Sequence, residues 1–244
     1  MKITSVNNEL IKQTAKLQQR KYRDESGLFL LEGSKCIEEA LNSGIELTNL
    51  FITEGSKEFI NQNPIEVSEA VMSKISTTAT PPKVIAVGKQ PIIEWGDFYR
   101  KVVLLEDIKD AGNLGTILRT SCAFNVDALI LYGDTVDLYN PKCVRASVGN
   151  LWKIPVFNFK TFEDIEDKFS DFERIATLPQ SADTVLLKNY IPQKKMLIMF
   201  GTESCGLSDK LKNFATKNIT IEMSDNVESL NLSISAGVIL YQIM

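Results

Sequence analysis

The feature that most constrains the fold is the alternation of short apolar strands with helical segments over the second half of the chain. Val102–Glu106 and Met196–Gly201 are continuous apolar runs, the pattern of parallel strands buried on both faces. Such alternation predicts an α/β domain with a mostly parallel sheet. The predicted strands are Val102–Glu106, Ala128–Tyr132, Val156–Phe159, Ile175–Leu178, Met196–Gly201 and Asn218–Met223, and the predicted helices are Leu114–Phe124, Pro141–Val148, Asp209–Ala215 and Leu230–Met244.

The first part of the chain predicts a smaller α/β domain. Its predicted strands are Leu28–Leu31, Leu47–Thr53 and Val84–Val87, and its predicted helices are Ser34–Asn42 and Ser68–Lys74. The stretch from Gln90 to about Tyr99 carries Pro91 and Gly96 and is predicted to be a linker. We therefore expect two domains, 1–96 and 97–244.

Composition excludes several classes of protein. None of the apolar stretches approaches the roughly 20 residues that span a bilayer, and no signal region follows the first residues, so we expect a cytoplasmic protein without a membrane partner. The four cysteines are far apart, which disfavours a disulfide framework or a zinc site, and we expect no metal. The 244 residues include no histidine, so proton chemistry must use other groups.

A basic stripe lies near the start of the chain. The net charge of −4 argues against non-specific coating of nucleic acid. Nevertheless, an amphipathic helix predicted from Asn8 to about Arg20 places Lys12, Lys16 and Arg20 on one side. Either a solvated helix face or a contact with RNA phosphates explains this pattern.

Three predicted strand-to-helix turns carry unusual polar residues. Open parallel sheets bind ligands outside the carboxyl ends of their strands, so these turns are candidate sites. In the first, Asn113 follows Gly112, and Arg119 lies on the helix behind it. Taken alone, this segment favours an asparagine helix cap and a surface arginine in a salt bridge. Because helical side chains lean toward the N-terminus, the Arg119 guanidinium can instead return to the strand ends.

The second and third turns follow the last two predicted strands. The second is glycine-rich and carries one carboxylate, Glu203, which a solvated turn also explains. The third places Ser229 and Asn231 at the start of an apolar helix, with Ser229 as a candidate N-cap. A dinucleotide-binding glycine fingerprint, a phosphate loop and a nucleophile elbow are all missing from the sequence.

Together these segments resemble the signature motifs of the SpoU (TrmH-like) branch of the SPOUT superfamily of RNA methyltransferases. Four motifs carry the resemblance: N-x-G-x-x-x-R at Asn113, Gly115 and Arg119; F-G-x-E-x-x-G-L-S from Phe200 to Ser208; S-L-N-x-S from Ser229 to Ser233; and N-P-K with R-x-S-x-G from Asn140 to Gly149. They cover Val102 to the C-terminus. Phe29–Val87 resembles the family's substrate-binding domain.

The resemblance implies a trefoil-knotted methyltransferase domain that works as a homodimer, although periodicity alone does not predict a knot. It implies binding of S-adenosylmethionine through Gly201, Ile221 and Leu230. The implied catalytic residues are Arg119, Asn113, Glu203, Ser229 and Asn231, and the predicted RNA contacts are Lys12, Lys16, Arg20 and Arg145. One departure is Glu222, which stands where the family usually has a proline.

The function that follows is methylation of a ribose 2′-hydroxyl, with ribosomal RNA as the first choice of substrate and tRNA as the second. Arginine is a poor base because its pKa exceeds about 12, so Arg119 is expected to stabilise charge on the oxygen. Three alternatives stay open: a non-catalytic RNA-binding protein of this fold that assists ribosome assembly, methylation of a base nitrogen, and a Rossmann-type oxidoreductase, which the missing fingerprint disfavours.

Overall fold

The computed structural model describes residues 2–202, 204–224 and 226–244. The chain divides into two compact units, one of residues 1–92 with 137–153 and one of residues 93–136 with 154–244. This division differs from the predicted domains 1–96 and 97–244 in two segments: residues 93–96 belong to the second unit, and residues 137–153 return to the first. Within the described ranges, none of the helices is long and apolar enough to cross a membrane.

The first unit is built on a five-stranded mixed sheet. Its strands are β1 (Lys2–Ile3), β2 (Leu28–Glu32), β3 (Leu47–Thr53), β4 (Ile65–Val67) and β5 (Val84–Lys89), in the order β1-β4-β3-β5-β2. Its helices are α1 (Glu9–Lys16), α2 (Arg20–Ser26), α3 (Ser34–Asn42), α4 (Glu69–Ile75) and α6 (Pro141–Ser147). Ile11 and Phe51 belong to the buried cluster between sheet and helices.

The helix predicted over Asn8–Arg20 is two helices. Asn8 caps α1 by accepting from the Leu10 amide at 2.9 Å, and α1 ends at Lys16. A turn follows, so Arg20 begins α2. Arg23 of α2 is buried and lies 2.6 Å from Asp137, an ion pair that ties the returning segment into this unit. A partner so distant in sequence could not be read from local periodicity.

The second unit contains a seven-stranded sheet in which every neighbouring pair is parallel. Its strands are β6 (Lys101–Glu106), β7 (Ala128–Tyr132), β8 (Val156–Phe159), β9 (Glu173–Thr177), β10 (Val185–Leu186), β11 (Met196–Phe200) and β12 (Lys217–Thr220), in the order β10-β12-β9-β11-β6-β7-β8. Its helices are α5 (Ala111–Ala123), α7 (Phe162–Phe169), α8 (Asp209–Phe214) and α9 (Leu232–Ile243). The α/β fold class with a parallel sheet is therefore confirmed; the knot stays a prediction.

The stretch predicted to be a linker contributes to the core of the second unit. Tyr99 is buried, and the Trp95 ring packs against it with centroids 5.0 Å apart. Trp95 also meets Phe157 and Phe169 edge-on, at 5.0 and 5.5 Å. Aromatic pairs of this geometry stabilise a core beyond the area they bury. Pro91 and Gly96 indicated the irregular backbone, but not that its aromatic rings would pack.

Candidate functional site

A cavity of about 390 Å³ lies at the carboxyl ends of three neighbouring strands of the parallel sheet. Thr177 ends β9, Phe200 ends β11 and Thr220 ends β12, and all three line the cavity. This is where open parallel sheets bind ligands, and the volume suits a small molecule. The three residues predicted to bind a cofactor, Gly201, Ile221 and Leu230, all lie in its wall.

The loop after β11 forms one wall and requires glycine at two positions. Thr202 and Gly206 pair across the loop, with amide-to-carbonyl distances of 3.1 and 3.0 Å. A Cβ on Gly201 would lie 2.0 Å from the Gly206 carbonyl carbon, so only glycine permits this backbone approach. Gly206 has a φ of +67°, in the left-handed region that favours glycine. Ser208 follows the loop and caps α8 by accepting from the Leu211 amide at 3.4 Å.

The last motif positions Asn231 rather than Ser229 at the start of α9. Asn231 is the N-cap, and its Oδ1 accepts from the Ser233 amide at 2.9 Å and from the Ser233 hydroxyl at 2.7 Å. The alternative of Ser229 as the cap is therefore wrong. Ser229 instead lines the cavity together with Ser235.

The first motif starts its helix earlier than predicted. Asp110 is the N-cap of α5, and its Oδ1 accepts from the Asn113 amide at 2.8 Å, so the expectation that Asn113 caps this helix is wrong. Asn113 lies in the first turn of α5, so its side chain does not serve as the N-cap. Its Oδ1 accepts from Asn231 Nδ2 at 3.1 Å, which joins the first motif to the third.

Arg119 lies on α5, the same helix that carries Asn113. Arg119 is exposed on α5, and within the described part of the chain its guanidinium makes no hydrogen bond or ion pair. Glu203 lies outside the described residues. The structure thus brings together Asn113 with Asn231, and Ser229 with the three cavity residues, while the proposed roles of Arg119 and Glu203 stay predictions.

Glu222 forms an ion pair with Lys188 at the edge of the cavity. Its neighbours Ile221 and Met223 both line the wall. Lys188 follows β10, whose Leu186 pairs with Thr220 of β12, so the ion pair extends the contact between these strands into the loop. Both side chains are more than half exposed, and the stabilisation from such a pair is small.

The residues predicted to contact RNA belong to the first unit and fall into two groups. Lys12 and Arg20 lie on α1 and α2, 3.8 Å from Glu9 and 3.5 Å from Asp24. The Lys16 ammonium on α1 lies 5.5 Å from the centre of the Tyr22 ring. These side chains are exposed enough to meet a phosphate.

Arg145 has a different environment from these basic residues. Its guanidinium donates to the carboxylate of Glu32, which is buried, and to the Thr77 hydroxyl. Glu32 also accepts from the Thr77 amide at 2.7 Å and from the Ser76 hydroxyl at 2.8 Å. A buried carboxylate needs partners of this kind, so the geometry favours a role for Arg145 in the folding of the first unit.

Several cavity residues were not predicted from the sequence. Thr177, Lys212 and Met223 belong to this group. Thr177 could have been found from the rule that ligands lie at the carboxyl ends of parallel strands, since it stands one residue before the end of the predicted strand Ile175–Leu178. Lys212 lies on α8, and its proximity depends on how that helix packs. Within residues 2–202, 204–224 and 226–244, no group of three carboxylates or thiols is arranged to hold a metal.

Comparison with known proteins covers nearly the whole chain. Residues 100–241 match the model of the SpoU rRNA Methylase family, and residues 8–86 match the MRM3-like substrate binding domain. A tRNA/rRNA methyltransferase of Synechocystis is 32% identical, over 98% of this chain and 92% of its own length. The 23S rRNA (guanosine(2553)-2′-O)-methyltransferase RlmP of Bacillus subtilis is 31% identical, over 99% and 98%.

Solved structures agree with these matches. The AdoMet-bound rRNA methyltransferase of Sinorhizobium meliloti superimposes with a TM-score of 0.89 and is 28% identical, over 99% of this chain and 96% of its own. Because the likeness covers 99% of this chain, it includes residues of both units.

Proposed function

The chain belongs to the SpoU rRNA methylase family, and on this premise we propose that it transfers a methyl group from S-adenosylmethionine to a ribose 2′-hydroxyl of ribosomal RNA. The observation that carries the proposal is the convergence of Gly201, Ile221 and Leu230 on one cavity at the sheet edge. The bound cofactor in the Sinorhizobium meliloti structure and the 2′-O activity in the name of the Bacillus subtilis relative support this choice of donor and acceptor.

The cavity is chemically suited to S-adenosylmethionine. Leu230, Ile221 and Ile239 provide apolar surface for an adenine ring, and Gly201 contributes its backbone to the wall. Lys212 and Glu228 bring one charge of each sign to the wall, which matches a ligand that carries a carboxylate and an ammonium group. The volume of about 390 Å³ lies within the roughly 300–1,000 Å³ range of small-molecule sites.

The bound cofactor would supply a methyl group that is already activated as a sulfonium. The protein must then align the ribose oxygen and stabilise the charge that develops when its proton leaves. Asn113 and Asn231 would orient the ribose, and Ser229 would contact it at the cavity mouth. Arg119 would stabilise the negative charge on the 2′-oxygen, with the proton passing to an RNA phosphate, and Glu203 would orient Arg119.

RNA binding would rest on the first unit. Lys12, Lys16 and Arg20 would contact phosphates, and the match of residues 8–86 to a substrate-binding domain supports that role. Arg145 is also predicted to contact RNA, but its guanidinium already pairs with Glu32 and is therefore less available to a phosphate. A ribose hydroxyl as the acceptor explains selection of RNA over DNA. A cytoplasmic location completes the proposal.

A homodimer forms part of the proposal. Helix α9 buries one face, yet Ile234, Val238 and Tyr241 on its other side are 54%, 39% and 75% exposed. Their spacing of four and three residues places them in one stripe. Contact of this stripe with a second copy would remove apolar surface from water.

Calorimetric titration of the purified protein with S-adenosylmethionine tests the proposal, with NAD as the control ligand. We expect micromolar binding of S-adenosylmethionine and no binding of NAD. A folded protein that binds neither ligand would contradict the proposal and favour the RNA-binding protein without activity. Binding of NAD alone would favour the oxidoreductase.

A further inference from the structure

Glu106 is a buried carboxylate next to the cavity loop but not in the cavity wall. It is the last residue of β6 and only 5% exposed. Its Oε2 accepts from the backbone amide of Ser208 at 2.7 Å, a residue 102 positions later. Burying a carboxylate costs free energy unless it is hydrogen-bonded, so this bond to the Ser208 amide is needed.

Ser208 marks the end of the loop that forms one wall of the cavity. The loop leaves β11 at Phe200, which pairs with Leu105, the neighbour of Glu106 in β6. Gly201, Cys205 and Leu207 of the loop line the cavity. The paired strands hold the start of the loop, and the bond between Glu106 and Ser208 holds its end. Among the described residues of the loop, Thr202 pairs with Gly206, the Cys205 amide donates to the Thr202 hydroxyl at 3.0 Å, and Leu207 is buried. None of these contacts fixes the end of the loop to β6, as the bond from Ser208 to Glu106 does.

We infer that Glu106 is a positioning residue, which holds the loop from Gly201 to Leu207 in its cofactor-binding conformation through the Ser208 N–H. The inference rests on the proposed function, since it takes the cavity to be the cofactor site. Glu106 lies outside the cavity wall and acts on the ligand only through the loop. By ordering the loop in advance, it lowers the conformational entropy that the loop loses when the ligand binds. Ordering a loop before binding improves affinity because less conformational entropy is lost on binding.

The test measures the dissociation constant for S-adenosylmethionine in full-length variants. Glu106→Leu fills the same space without an acceptor, and we expect it to weaken binding about 10-fold, as for loss of one hydrogen bond to a charged group. Glu106→Gln keeps an acceptor oxygen and should bind within about 3-fold of the wild type. Thermal unfolding of each variant shows whether it is folded at the titration temperature. A purely structural role predicts a lower Tm with unchanged affinity.

A second pair of variants removes the donor instead of the acceptor. Ser208 has a φ of −62°, close to the value that proline requires, so Ser208→Pro deletes the N–H without forcing this torsion. Ser208→Ala is the matched control, because both variants lose the helix cap but only proline loses the donor. We expect Ser208→Pro to bind about 10-fold more weakly than Ser208→Ala. Adding Glu106→Leu to Ser208→Pro should cause little further loss, because both changes break one bond.

The outcomes separate this inference from the proposed function. Wild-type protein that does not bind S-adenosylmethionine overturns the proposed function. Wild-type binding with equal affinities for Glu106→Leu and the wild type, or for Ser208→Pro and Ser208→Ala, overturns the role of Glu106 alone. The Ser208 pair decides the question if Glu106→Leu does not fold.

Discussion

Asn231 Nδ2 donates to Asn113 Oδ1 at 3.1 Å across 118 residues of sequence. The direction of this bond follows from the cap of α9: Asn231 Oδ1 already accepts from the amide and hydroxyl of Ser233, so its nitrogen faces Asn113. The first and third family motifs therefore meet through one hydrogen bond, and the second motif lines the cavity together with Ser229 of the third.

Asn113→Ala tests whether this bond serves catalysis rather than folding. The cap of α5 uses the backbone amide of residue 113, and α9 is capped by Asn231, so both helices should persist. We expect methyl transfer to fall about 10-fold or more, with affinity for S-adenosylmethionine unchanged. Asn113→Asp keeps the acceptor and should retain more activity. Full activity of Asn113→Ala, measured as labelled methyl incorporated into RNA, would remove the pair from the mechanism.

The thiols report occupancy of the cavity. Cys205 is exposed and lines the cavity, whereas burial raises the pKa of the Cys36 thiol to about 12. Because little Cys36 thiolate exists near neutral pH, alkylation should begin at Cys205. We expect S-adenosylmethionine to slow this reaction, as followed by peptide mass spectrometry, with NAD leaving it unchanged. Equal rates with and without S-adenosylmethionine would place its binding site elsewhere.

Lys188→Glu tests the ion pair at the cavity edge. It places two carboxylates together beside Ile221, and we expect affinity for S-adenosylmethionine to fall about 3-fold at low salt and less at high salt. The double variant Lys188→Glu with Glu222→Lys should restore affinity. Lys194→Glu makes the same change in net charge at another exposed site and serves as the control. If Lys194→Glu lost as much affinity for S-adenosylmethionine as Lys188→Glu, the loss would come from the change in overall charge and not from the broken ion pair.

Ile234→Asp tests the proposed homodimer. A charge in the exposed stripe of α9 would be buried without a partner on association, so we expect monomers by light scattering coupled to size exclusion. Ile92 is 96% exposed and lies outside α9, which makes Ile92→Asp the matched control that should stay dimeric. Monomeric wild-type protein, or a dimeric Ile234→Asp variant, would rule out this interface.

Particular residues show how far the sequence could predict this site. Continuous apolar runs predict buried parallel strands, and the turns after them converge because parallel strands end at one edge. Helix starts were less predictable, because Asp110 and Asn113 are both good N-caps three residues apart. Only the tertiary structure decides that Asp110 caps the helix while Asn113 meets Asn231.

The sequence also gives no sign that the segment 137–153 packs with the first unit, because that packing depends on contacts between residues distant in the chain. Its anchors are the pairs Arg23–Asp137 and Glu32–Arg145, which join residues more than a hundred positions apart. Local periodicity carries no information about such partners. The sequence does not single out Glu106, because a carboxylate after an apolar run indicates the end of a strand and carries no sign of a bond to a distant amide.

Methylated-nucleoside analysis tests the central claim most directly. Ribosomal RNA incubated with S-adenosylmethionine and either wild-type protein or Arg119→Ala would be digested to nucleosides and analysed by mass spectrometry. We expect a 2′-O-methylated nucleoside with the wild type and a near-complete loss with Arg119→Ala, although that variant still binds S-adenosylmethionine. A methyl group on a base, or normal turnover by Arg119→Ala, would contradict the account.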